Sequence, residues 1–157
     1  MILPDVNLLI YAYDAGSPLH AAAAAWWQKC LTGDEPVGLA PVVLFGFVRI
    51  STHPRVFTSP LTPAEAAEAV RSWLEQPVAL LLEPSADHVE RVLRLLTDIG
   101  TAGNLVTDAQ LAALALEHDA VLHTTDADFL RFPGLRWVNP LTARPRKVPA
   151  RRQSNRG

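Results

Sequence analysis

Four aspartates stand where an otherwise apolar pattern is interrupted. Asp5 follows the apolar run Met1–Leu3 and Pro4 and leads into Val6-Asn7. Asp108 lies in Thr107-Asp108-Ala109-Gln110, at the opening of a helical stretch. Asp126 and Asp128 belong to Thr124-Thr125-Asp126-Ala127-Asp128, directly after the apolar segment Ala120–His123. None of them has a basic partner beside it in sequence. Carboxylates brought together repel and hold each other's protons unless a cation intervenes. A hard ion with oxygen ligands, Mg²⁺ or Mn²⁺ as a substitute, suits such a group. An ion held that way acidifies bound water and neutralises phosphate, which is the chemistry of phosphate-ester cleavage. Each acid also has a plainer use. Asp108 can complement a helix dipole, and Asp126 and Asp128 can shape a turn.

Other chemistry is poorly served. His20, His53, His88, His118 and His123 lack zinc-type spacing. His123, within a strand, reads as a core histidine with satisfied hydrogen bonds. Cys30, on a packed helix, is expected to be inert, and as the only cysteine it excludes an internal disulfide. No glycine-rich phosphate loop or Gly-x-Ser-x-Gly elbow is present. A phosphatase using Asp5 as nucleophile needs a second aspartate two residues on, where Asn7 stands.

The elements that must position these acids alternate along the chain. Met1–Leu3 is a short strand, Val6–Tyr13 and His20–Leu31 are helices, Pro36–Ala40 is a strand, and Pro41 opens a helix to about Thr52. Thr62-Pro63-Ala64-Glu65 is a capping box that starts a helix running to about Gln76. Val78–Leu82 reads as a strand buried on both faces. Ser85 is expected to cap a helix ending at Gly100. Thr107 is expected to cap the next, in a second box that ends near His118. Ala120–His123 and Arg136–Val138 are the last strands, with a turn at Thr124–Phe129 between them. Strands separated by helices define an α/β fold, a single domain with helices on both faces of a parallel sheet. Its strands' carboxyl ends are where ligands bind, and all four aspartates fall at element ends.

The 157 residues are 49% apolar, enough for one domain with a real core. Net charge is −2, but it is unevenly spread. Residues 143–157 hold six of the fourteen Lys and Arg and no acid, so residues 1–142 stand at −8 and the tail at +6. An acidic body is not one that coats nucleic acid by bulk charge. The tail, residues 142–157 in domain terms, is expected to be disordered. No signal peptide or membrane-length apolar run is apparent, so a cytoplasmic protein without a membrane span is expected.

Asp5-Val6-Asn7-Leu8-Leu9-Ile10-Tyr11, Asn104-Leu105-Val106-Thr107-Asp108-Ala109 and Thr124-Thr125-Asp126-Ala127-Asp128-Phe129 together resemble a PIN domain, and more narrowly the VapC toxins of toxin–antitoxin pairs. Phe47-Val48-Arg49-Ile50, His53-Pro54-Arg55-Val56-Phe57 and Asn139-Pro140-Leu141 add to the likeness, which covers residues 1–141. The resemblance implies a three-layer α/β/α sandwich with strand order 3-2-1-4-5. It also implies a Mg²⁺-dependent endoribonuclease that leaves a 5′-phosphate, dimerises, and is inhibited by a cognate VapB-type antitoxin. By the same likeness, Asp5, Asp108 and Asp126 correspond to metal-binding positions, and Asp128 completes the catalytic acids. Asn7 and Thr125 match positions that support them by hydrogen bonds. Arg49 and Arg55 are candidates for contact with RNA phosphates. One departure stands out. PIN domains usually carry a Glu three residues before the arginine of the third helix, and here that residue is Gly46. The departure opens an alternative, a catalytically weakened PIN-like module that binds RNA or antitoxin.

Overall fold

In the computed structural model of the chain, which describes residues 1–57 and 59–142, five very short strands carry the sheet. They are β1 (Ile2–Pro4), β2 (Val37–Leu39), β3 (Ala79–Leu81), β4 (Val121–His123) and β5 (Trp137–Val138). Six helices connect them: α1 (Val6–Tyr13), α2 (His20–Thr32), α3 (Pro41–Ser51), α4 (Pro63–Leu74), α5 (His88–Ile99) and α6 (Leu105–Glu117). A 3₁₀ turn over Ala127–Arg131 precedes β5. The tail from residue 143 onward lies outside the described residues.

All strand pairs are parallel, in the order β3-β2-β1-β4-β5, as the resemblance implied. The order reverses direction at β1. Right-handed crossovers therefore set α1 to α4 on one face and α5 and α6 on the other. That gives the three layers expected, and it opens a crevice beyond the carboxyl ends of β1 and β4. Strands of two or three residues would not hold alone, so the core must. Leu3, Val37, Leu39 and Leu122 are fully buried between the layers. On the α1–α4 side Trp73 sits in an aromatic cluster, with ring centroids 4.7 Å from Phe47, 5.4 Å from Trp27 and 5.5 Å from Tyr13. Its indole N–H donates to the Tyr13 hydroxyl at 3.0 Å. Trp27 and Trp73 are core residues.

The Thr62 box forms as expected. The Glu65 backbone N–H donates to Thr62 Oγ1 at 3.2 Å, and the Thr62 N–H donates back to Glu65 Oε2 at 2.7 Å. Three local expectations need correction. β3 is not buried on both faces, because it is the edge strand, and Leu80 and Leu81 are 45% and 53% exposed. Ser85 does not cap α5, whose N-cap is Asp87; its N–H donates instead to Glu117 Oε2 at 3.1 Å. Thr107 does not cap α6 either. That helix begins at Leu105 after the N-cap Asn104, so Thr107 and Asp108 lie in its first turns. Among the described residues no helix is long and apolar enough to cross a membrane.

Candidate active site

Asp5 is set by the first strand. Its N–H donates to the His123 carbonyl at 2.9 Å, continuing the β1–β4 ladder one residue beyond Pro4. It then serves as the N-cap of α1, so its carboxylate lies at a helix N-terminus with little solvent. Burial of that kind pushes its carboxyl above the ordinary value of 3.8. The Thr124 hydroxyl opposes the rise, and the charge of Asp126 adds to it.

The same ladder places Thr124. Its N–H donates to the Val138 carbonyl at 3.0 Å, which fixes it between β4 and β5. The side chain is fully buried. Its hydroxyl donates to Asp5 Oδ2 at 2.7 Å and accepts the Asp126 N–H at 2.9 Å. One buried hydroxyl thus ties the first acidic segment to the last. Asp126 in turn caps the 3₁₀ turn by accepting the Asp128 N–H at 2.8 Å. The supporting hydroxyl belongs to Thr124, one residue before the expected Thr125. Side chains alternate along a strand, and the one that shares a face with buried Leu122 is Thr124. Asn7 does reach Asp5, its Nδ2 donating to Oδ2 at a long 3.4 Å.

Asp108 approaches from the opposite layer, on α6. Its carboxyl is pushed up to about 6, first by burial and then by the charges of Asp5, Asp126 and Asp128. Each of the other three carboxylates is therefore close enough to Asp108 for its charge to be felt there. The four aspartates singled out in the sequence converge in space, although Asp5 and Asp126 are more than a hundred residues apart. Gly46 lies on α3 at the same end of the molecule. A Cβ there would meet Val6 Cγ2 at 3.3 Å, next to Asp5. Arg49 and Arg55 are exposed, on the last turn of α3 and the loop after it. Neither has an ion-pair partner among the described residues.

The donors are all oxygen, mutually repelling and short of cations, which fits a hard divalent ion. Among the described residues no three His, Cys, Asp or Glu side chains are gathered tightly enough to cage an ion by themselves. An ion that keeps several waters, as Mg²⁺ does, fits such an open set.

Two other groups part company with expectation or bear it out. His123 is not a satisfied core histidine: its Nδ1 is buried without a partner, and its ring stacks on Trp26 at 5.7 Å. Burial pushes its pKa down. Cys30 is buried, and burial pushes its thiol up to about 12, so it is inert as expected.

A parallel 3-2-1-4-5 sheet with an acidic cluster at the carboxyl ends of β1 and β4 defines a class, and the family comparison agrees with it. The PIN domain model matches residues 2–135, and the chain belongs to that family. Ribonuclease VapC33 of Mycobacterium tuberculosis is 48% identical over 141 residues, which cover 90% of this chain and 99% of that protein. Within the PIN family, then, this chain is a homologue of the VapC ribonuclease toxins. Among solved structures, M. tuberculosis VapC20, a toxin that cleaves the sarcin–ricin loop, superposes with a TM-score of 0.65 at 21% identity. That match covers 87% of this chain and 99% of VapC20. The VapBC2 complex of Rickettsia felis, bound to a promoter DNA fragment, gives a TM-score of 0.62 at 18% identity, covering 88% of this chain and 98% of its own. At those identities the two structures speak to the fold alone.

Proposed function

We propose that the chain is a Mg²⁺-dependent endoribonuclease toxin that hydrolyses RNA phosphodiester bonds in the cytoplasm and is held inactive by a cognate VapB-type antitoxin. The observation that carries this reading is the coupling of Asp108 to Asp5, Asp126 and Asp128 at one crevice, on a chain 48% identical to a ribonuclease. Asp5, Asp108 and Asp126 would hold the ion, Asp126 directly or through a water. Bound there, the ion would acidify a water and neutralise phosphate charge. Asp128 would orient outer waters. Thr124 keeps the Asp5 carboxylate in one position, and Asn7 supports it. Thr125 has no such part in this reading. Arg49 and Arg55 would meet phosphates of the RNA backbone in this reading. Loops and single strands of a structured RNA such as tRNA present accessible bases and backbone, and are the substrates this open site suits. A homodimer is the assembly proposed, following the resemblance to its family.

Gly46 favours a second reading, a PIN-like module that retains RNA or antitoxin binding with weak turnover. The two are separated by incubating purified, antitoxin-free protein with tRNA and ribosomal RNA in Mg²⁺, Mn²⁺ or EDTA. Discrete metal-dependent cuts, absent from folded Asp5→Asn and Asp108→Asn variants, support the nuclease. Identical RNA patterns for wild type and variants in every metal favour the binding module.

A further inference from the structure

Side chains alternate along β4, so His123 points away from the face that Leu122 and Thr124 share. Its ring lies against α2, 5.7 Å from Trp26 with the two planes 27° apart. A cavity of about 410 Å³ opens there, with Ile2, Trp26, Cys30, His123 and Val138 among its walls. It exists because β5 is the edge strand and only two residues long, which leaves Val138 40% exposed. The volume is that of a small-molecule site. The cavity also adjoins the carboxylates. The His123 carbonyl accepts the Asp5 N–H at 2.9 Å, and the next residue, Thr124, holds the Asp5 carboxylate.

The walls describe what would fill it. The His123 side chain makes no hydrogen bond among the described residues, and its Nδ1 is sealed from solvent. A buried N–H without an acceptor is costly, so the proton belongs on Nε2, which is then free to donate to a ligand. Trp26 and His123 form a stack that a further planar ring extends. Lys29, on the same cavity, is exposed and has no ion pair among the described residues, so it can meet a phosphate. Asp34 and Glu35 also line the cavity. Their carboxylates accept from an amino group and disfavour a bare anion. A flat ring that carries acceptors and an amino group, with a phosphate attached, is a nucleotide.

We propose that this cavity is a nucleobase pocket, in which a base of the RNA strand crossing the carboxylate crevice stacks on Trp26 and accepts a hydrogen bond from His123 Nε2. The proposal rests on the ribonuclease reading for the strand. A base held there fixes the register of the RNA, so Trp26 and His123 select which phosphate reaches the carboxylates. Loss of one aromatic partner is expected to weaken the base contact about 5- to 150-fold.

The test is saturation-transfer NMR of AMP, GMP, CMP and UMP, each alone with the full chain in EDTA, so that turnover plays no part. Trp26→Leu removes the stacking face. Val138→Trp fills the cavity from an exposed position and spares the core, so it carries the test if Trp26→Leu fails to fold. Leu93→Ser, at an exposed position of α5, is the control. In the wild type and the control, the base protons of at least one nucleotide should be saturated more strongly than its ribose protons. That signal should fall at least fivefold in Trp26→Leu and in Val138→Trp. No saturation of any nucleotide, or equal signals from wild type and Val138→Trp, overturns the pocket. Saturation of indole or p-cresol where no nucleotide responds also overturns it, and gives the cavity to an aromatic side chain of a protein partner. RNA cleavage in Mg²⁺ without nucleotide saturation leaves the nuclease standing without the pocket. Saturation without cleavage leaves the pocket standing without the nuclease.

Discussion

Thr124→Val keeps the shape of a fully buried side chain and removes one hydroxyl. Two hydrogen bonds go with it, the 2.7 Å donation to Asp5 Oδ2 and the 2.9 Å acceptance from the Asp126 N–H. A hydrogen bond to a charged group contributes about 1.5–3 kcal/mol, and a donor left without a partner costs about 1 kcal/mol or more. Asp126 is only partly buried, so water replaces some of the second loss. The loss of Thr124 also removes an interaction that opposes the rise of the Asp5 pKa, so part of the first is relieved by proton uptake. The expected destabilisation at pH 7.5 in EDTA is about 2–4 kcal/mol. Thr124→Ser retains the hydroxyl and gives up one methyl, about 1 kcal/mol. Thr125→Val is the control and should unfold like wild type. Urea denaturation followed by circular dichroism reads all three. In Mg²⁺, RNA cleavage by Thr124→Val should fall about 10- to 100-fold, the usual effect of removing a group that orients a metal ligand. The serine variant should cleave close to the wild-type rate. A valine variant within 0.5 kcal/mol of wild type and cleaving at its rate would refute the reasoning. Losses confined to Thr125→Val would assign the support to the wrong threonine.

Two further outcomes follow from burial and charge. In EDTA the domain should lose stability as pH rises from about 4 through about 6, because the folded state holds the Asp108 proton that the unfolded chain releases near 3.8. The melting temperature of Asp108→Asn should lack that component, and parallel pH profiles for the two proteins would count against the shared crevice. Cys30, with its thiol pushed up to about 12, should resist iodoacetamide at pH 8 in the native protein and react fully in urea. Rapid native alkylation would mean that α2 opens far more readily than its packing implies.

The fold was readable where the signal was local. Pro63 after Thr62, with Glu65 three residues beyond the threonine, announced α4 because the cap chemistry is complete within four residues. The apolar triplets gave the strands for the same reason. What failed depended on neighbours distant in sequence. Val78–Leu82 has the continuous apolar run of a central strand, but its edge position follows from the order in which the whole chain is wound. Thr107-x-x-Gln110 has the form of a capping box, yet Leu105 is buried and the helix starts three residues earlier, with Asn104 as its N-cap. The four aspartates were legible because charge at the end of an apolar element is costly without a purpose. Thr124 was missed for want of counting. The alternation running through buried Leu122 lands on it, and Thr125 sits on the other side.

Gly46 bears on how many charges the site can carry. A side chain at position 46 would start against Val6, the neighbour of Asp5, so an acid there would add a fifth carboxylate to the same crevice. Burial and the charges of Asp5, Asp126 and Asp128 already push Asp108 up to about 6. Glycine limits the repulsion in the ion-free protein. In the proposed reading Asp5, Asp108 and Asp126 would hold the ion, and its other ligands would be waters, the reactant that phosphodiester hydrolysis requires. By that argument the glycine would reduce the charge available for a second ion, while the proposed one-ion hydrolysis would keep its carboxylate ligands and the Thr124 brace.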